Sequence, residues 1–204
     1  MRIGIYSGSF DPIHEGHVLF AQVSAEQFGL DKVLLLPEPQ PRYKESVTDI
    51  EHRQRMCELA TISNSSEIQT VVFDDLPHHT INGVLRHVYE MHPEDEYFIL
   101  MGSDVFRHIE KWGERDDEDG SIADISGNIG FIVGIEKMSE LAELKEISEK
   151  LGLNARYVEP PLMALSSRKI RERIKEGSSV EVAGVNDDVG RYIKLESLYG
   201  AQQD

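Results

Sequence analysis

Six short apolar runs, at residues 2–6, 32–36, 68–73, 97–101, 129–135 and 155–158, are separated by longer stretches with helical period or turn chemistry. That alternation constrains the fold more than any other feature. Apolar runs of this length bounded by turn residues read as strands buried on both faces. A strand, a crossover helix and a further strand lie parallel in one sheet, because a tight hairpin cannot join parallel neighbours. The sequence therefore predicts an α/β protein, a Rossmann-like doubly wound parallel sheet with its ligand crevice beyond the carboxyl ends of the strands.

Helical period covers residues 16–28, stopped by Gly29, and 51–62, opened by Thr48 and Glu51 at capping-box spacing. Thr80 can cap a third helix running to about residue 92, and Gly102-Ser103-Asp104 turns into another. An exposed acidic helix at 139–151 ends at Gly152. Pro160-Pro161 then breaks the chain, and 166–176 and 187–196 read as helices. The expected organisation is one domain of 204 residues, with an α/β core at 1–160 and a small helical C-terminal portion at 161–204.

Charge excludes some partners. Twenty-one Lys and Arg against 37 Asp and Glu give a net charge of −16, which disfavours long nucleic acid and anionic membrane surfaces. A small phosphorylated ligand needs only a few cations and aimed backbone N–H groups, so it remains open. The single cysteine, Cys57, can form no intrachain disulfide and reads as an apolar group on a helix. No apolar run approaches the ~18 residues of a membrane span, so a cytoplasmic protein is expected. The polar segment 113–128, with acidic residues at 114–119, reads as a solvated loop.

The first strand exits through Gly8-Ser9-Phe10-Asp11-Pro12-Ile13-His14-Glu15-Gly16-His17. A strand, a turn of small residues and a helix start aim backbone N–H groups and the positive end of a helix at one spot, which suits phosphate. His14 and His17, three apart, can face the same ligand as donors expected to be at least partly cationic near a polyphosphate, and Gly16 lets backbone approach closely. The stretch resembles the G-x-F-x-P-x-H-x-G-H signature of the nucleotidylyltransferase superfamily, matched at Gly8, Phe10, Pro12, His14, Gly16 and His17.

A second anion-binding helix start is expected at Leu165-Ser166-Ser167-Arg168-Lys169-Ile170-Arg171, where either serine can cap and Arg171 lies one turn on. It is similar to the superfamily's I-S-S-T-x-I-R motif, with Leu165 and Arg168 as departures. The resemblance implies that Ser166, Ser167, Ile170 and Arg171 bind the nucleotide.

Further segments resemble the bacterial nicotinate mononucleotide adenylyltransferases. Pro41-Arg42-Tyr43-Lys44 is similar to that family's Pro-Pro-His-Lys, which implies a phosphate contact for Lys44, otherwise one surface lysine among several. His79-Thr80-Ile81-Asn82 is similar to Tyr-Thr-x-Asp, which implies that His79 and Thr80 meet the pyridine substituent, although Thr80 also fits a plain helix cap. Gly102-Ser103-Asp104 resembles Gly-Ala-Asp at the nucleotide, and Trp112 matches the tryptophan stacked on the pyridine ring, a core role being the alternative. Arg53, Met56, Val189, Tyr192, Ile193, Leu198 and Tyr199 match structural positions. The family's arginine-proline-glycine after the fifth strand is replaced by Gly134-Ile135-Glu136, in a region the resemblance puts near the pyridine site and subunit contacts.

The resemblance implies adenylyl transfer from ATP, with Mg2+, to nicotinate mononucleotide, and is compatible with a homo-oligomer. His14, His17, Lys44 and Arg171 would act on the phosphates, beside Gly8, Ser9, Phe10 and Gly16. The alternatives are adenylyl or cytidylyl transfer to another phosphorylated acceptor, such as nicotinamide mononucleotide, and a silent nucleotide-binding module.

Overall fold

The computed structural model describes residues 1–39, 41, 47–62, 68–70, 87–88, 90–113, 129–160, 165–178 and 184–202. Its strands are β1 (Arg2–Gly8), β2 (Lys32–Pro37), β3 (Ile68–Thr70), β4 (Glu96–Gly102), β5 (Ile129–Gly134) and β6 (Ala155–Val158). They pair in the order β3-β2-β1-β4-β5-β6, every pair parallel. This is the Rossmann order, and it reverses direction at β1, which pairs with β2 on one side and β4 on the other. Six expected strands are thus present; positions 71–73 of the third lie outside the described residues.

The helices are α1 (Glu15–Phe28), α2 (Ile50–Ile62), α3 (Ser103–Phe106), α4 (Leu141–Leu151), α5 (Ser167–Lys175) and α6 (Asp187–Leu195). Alternating strand residues feed two cores. Val33, Leu35, Phe98, Leu100 and Ile132 pack with Val18 of α1, Met56 of α2, Ile170 of α5 and Val189 of α6. Leu36, Tyr97, Ile99, Met101, Phe131 and Val133 pack on the other face with Phe106 of α3 and Leu144 of α4. A Cβ on Gly130 would lie 2.5 Å from a ring carbon of Phe98, so glycine makes room for that ring across β4 and β5.

Gly29 and Gly152 close α1 and α4 in the left-handed region, at φ 61° and 65°, as their sequence positions imply. Two helix starts differ from expectation. Helix α2 begins at Ile50, with the Asp49 carbonyl accepting from the Arg53 N–H; Thr48 instead gives its own N–H to Asp11 Oδ2 at 3.4 Å. The helix after Gly102 is a single turn, followed by a 3-10 turn at Ile109–Gly113. Among the described residues, no helix is long and apolar enough to cross a membrane.

Candidate active site

The β1/β4 switch, the point at which such sheets place a ligand crevice, is bordered by the loop leaving β1. Phe10 has φ 44°, a region that non-glycine residues rarely occupy, and its ring holds it there. The ring is 2% exposed and packs edge-on against Tyr6 at 5.3 Å and His17 at 5.1 Å. A Cβ on Gly8 would approach that ring to 3.3 Å, which accounts for glycine two residues before phenylalanine.

His14 and His17 cap each other. The His17 N–H donates to His14 Nδ1 at 3.3 Å, the His14 N–H donates to His17 Nδ1 at 3.2 Å, and the rings stack 3.6 Å apart. Both Nδ1 atoms are therefore acceptors, so each neutral ring carries its proton on Nε2 and presents that atom as a donor. Burial lowers the His14 pKa to about 4, which keeps this imidazole neutral at physiological pH.

The start of α5 meets the same loop. Ser167 Oγ donates to the Pro12 carbonyl at 2.9 Å, and Arg171 Nη1 donates to the Asp11 carbonyl at 2.6 Å. Ser166 occupies the N-cap position but its hydroxyl makes no capping bond, contrary to the sequence expectation; Ser167 spends its own on the loop. Ile170 is 1% exposed, because three positions beyond Ser167 the helix turns inward, so only its backbone can serve a nucleotide. The N-termini of α1 and α5, both favourable to anions, converge on residues 11–14.

Two residues outside the expected site hold this loop. Arg53 is fully buried and donates to the carbonyls of Thr48, Ser9, Glu38 and Pro39 at 2.7, 2.8, 2.8 and 3.1 Å. Its signal in the sequence is an arginine on the apolar stripe of α2 with Met56, Cys57 and Ala60, where only a satisfied guanidinium is tolerated. Asp11 is 2% exposed and accepts from the Tyr199 hydroxyl at Oδ1, 2.7 Å. Cys57 beside them is buried, and desolvation raises its thiol pKa far above the nucleophilic range.

On the other side of the crevice, β4 ends at Gly102 and leads into the buried Ser103 and the exposed Asp104. Arg107 ties α3 to the segment after β5, bonding Glu140 at 2.9 Å, Glu143 at 3.1 Å and Ser103 Oγ at 3.5 Å. The Ser103 hydroxyl, then Arg107, hold the Glu140 carboxyl below its ordinary pKa. Lys44, Tyr43, His79, Thr80, Asn82 and residues 114–128 lie outside the described residues, as does the side chain of Trp112. A cavity of about 300 Å3 is lined by Ile13, Val18 and Leu19 together with the polar His14, Glu15, Gln22 and Asn186.

The sequence profile described as Cytidylyltransferase-like matches residues 5–173. A probable nicotinate-nucleotide adenylyltransferase of Desulfitobacterium hafniense (strain Y51) is 31% identical over 97% of this chain and 95% of its own. One from Leifsonia xyli subsp. xyli is 33% identical over 97% of this chain and 94% of its own. Among solved structures, the Plasmodium falciparum nicotinic acid mononucleotide adenylyltransferase complexed with NaAD superposes with a TM-score of 0.77 at 22% identity, covering 100% of this chain and 99% of that one.

Proposed function

The chain belongs to the cytidylyltransferase-like family of nucleotidyltransferases, and on that premise we propose that it joins ATP to nicotinate mononucleotide. The phosphate oxygen of the mononucleotide attacks the α-phosphorus of ATP in line. A P–O bond forms there, the bond to the β-phosphate bridge breaks, and pyrophosphate leaves with the electron pair, giving deamido-NAD. The observation that carries the reading is the convergence of two helix N-termini, two mutually capped histidines and Arg171 on one loop at the β1/β4 switch.

An already ionised nucleophile needs no base, so the chain's work is alignment and charge stabilisation. In this reading His14 and His17 donate from Nε2 to the α- and β-phosphates, while Arg171 and Lys44 take the leaving pyrophosphate. Gly8, Ser9, Phe10 and Gly16 shape the backbone around the bridging oxygens. Gly102, Ser103, Asp104, Ser166, Ser167 and Ile170 bind the nucleotide, and His79, Thr80 and Trp112 the pyridine end.

Magnesium fits as a passenger on the triphosphate. Among the described residues, the carboxylates on the segments beside the crevice are Asp11, bonded to Tyr199 and Thr48, Glu38, bonded to the Ser7 hydroxyl, Glu15 at the start of α1 and the exposed Asp104, and no three His, Asp or Glu side chains gather there to cage a cation. Bound there, the ion would draw charge from the phosphate oxygens. The His92, Glu94 and Asp95 group stands at the amino end of β4, and Asp95 also accepts from the Met1 amino group. The reading takes the chain as one cytoplasmic domain, with an α/β core to residue 160.

The test is pyrophosphate release by the purified protein with ATP and magnesium. Nicotinate mononucleotide, nicotinamide mononucleotide and no acceptor are compared. Preference for the nicotinate form is expected; equal or greater turnover of the nicotinamide form, or of neither, refutes the assignment.

A further inference from the structure

The residues of the C-terminal 3-10 turn Leu198–Gly200 follow the last helix and contain no nucleotide motif, yet the turn reaches the phosphate loop. Ser197 and Tyr199 have φ 50° and 59°, two non-glycine residues in the left-handed region within three positions. Such backbone persists only where the surroundings over-determine it. Here the result is a hydroxyl donating to Asp11 Oδ1 at 2.7 Å across 188 residues of sequence.

Asp11 is a crowded anion. Tyr199 holds Oδ1, the Thr48 N–H reaches Oδ2 at 3.4 Å, and Arg171 Nη1 stands 3.8 Å from Oδ2 while donating to the Asp11 carbonyl at 2.6 Å. At 3.8 Å that guanidinium is attracted but not hydrogen-bonded to the carboxylate, and its side chain stays 31% exposed. Without the Tyr199 hydroxyl, a buried carboxylate oxygen loses its donor. The nearest remedy is rotation into a two-pronged pair with Arg171, the strongest geometry available to these groups.

We infer that Tyr199 is a positioning residue: by occupying Asp11 Oδ1 it keeps Arg171 from being captured by the Asp11 carboxylate and leaves the guanidinium to a phosphate ligand. The inference rests on the role given to Arg171 above, and it makes the C-terminal turn part of the phosphate site.

The experiment is calorimetric binding of inorganic pyrophosphate with magnesium, and separately of nicotinate mononucleotide, to the full chain and its variants. Tyr199→Phe should weaken pyrophosphate binding about tenfold, the worth of one charged hydrogen bond, with mononucleotide binding within about twofold. In an Asp11→Asn background, which has no charge to capture Arg171, adding Tyr199→Phe should cost less than about threefold. The inference is overturned if pyrophosphate binding is unchanged in Tyr199→Phe, if both ligands weaken equally, or if the loss is undiminished in the Asp11→Asn background. Should Tyr199→Phe fail to fold, Asp11→Glu, which keeps the charge and moves it, must show the same selective loss; unselective or absent loss overturns the inference. Pyrophosphate binding needs no acceptor, so failure of the proposed transfer leaves this test readable. A wild-type protein that binds no pyrophosphate removes the role of Arg171 and this inference with it.

Discussion

Replacing Arg53 by methionine keeps the length of the stem on the inner stripe of α2 and removes the guanidinium. Four backbone carbonyls, from Thr48, Ser9, Glu38 and Pro39, lose their donor in a place where Arg53 itself has no solvent exposure. Part of the loss is offset because a buried charge no longer has to be desolvated, an effect that also lowers the Arg53 pKa. At about 1 kcal/mol net for each bond, the four together come to about 4 kcal/mol. For a chain of this size about 1 kcal/mol moves the melting temperature by ~2–4 °C, so a fall of about 8–16 °C is expected. Urea unfolding, with its slope checked, and thermal melting measure it. Arg53→Lys restores the charge but cannot span acceptors spread across a planar fork, and should recover less than half of the loss. A methionine variant melting within about 2 °C of wild type, or a lysine variant equal to wild type, would refute the reasoning.

Removing the His17 ring by alanine should lower kcat by about 100-fold or more with the fold retained, as far-ultraviolet circular dichroism would check, and near-normal turnover would move the chemistry elsewhere. Burial holds His14 near 4, below the ~6.5 of an exposed ring, so the unfolded chain takes up this proton first as pH falls. The contribution of His14 to stability is therefore full above about pH 6.5 and declines toward pH 4, by up to about 3 kcal/mol. His14→Asn should flatten that decline in pH-dependent urea titrations, and an unchanged slope counts against it. Gly130→Ala places a Cβ 2.5 Å from the Phe98 ring and should cost about 1–3 kcal/mol by overpacking; unaltered urea stability would show that the ring can move freely.

Local signals carried most of the fold. The apolar runs of β1, β2 and β4 to β6, and the glycines that end α1 and α4, are each specified within a few residues, and the structure keeps them. The reversal of strand order was legible as well, since parallel alternation implies a switch point. What escaped sequence reading depends on distant backbone. Arg53 finds its acceptors at residues 9, 38, 39 and 48, and a carbonyl leaves no mark on residue identity. The destination of the Tyr199 hydroxyl depends on a left-handed turn at positions where side chains disfavour one. The neutrality of His14 follows from its burial, which the motif alone does not express. Likewise the serines before α5 read as caps, whereas the Pro12 carbonyl competes for the Ser167 hydroxyl.

Strand order also bears on how the protein is made. The central strand β1 emerges from a ribosome before both of its neighbours and can pair along one edge once Pro37 has followed, Ile3 opposite Lys32. Its other edge waits for β4, where Ile3 meets Tyr97, so synthesis must proceed a further 59 residues from Pro37 to Glu96 before that pairing begins. Throughout that interval the nascent chain carries an unpaired, apolar strand edge, the kind of template on which chains join one another. Translation pauses between these points should therefore reduce the yield of folded molecules while leaving the activity of each finished molecule intact.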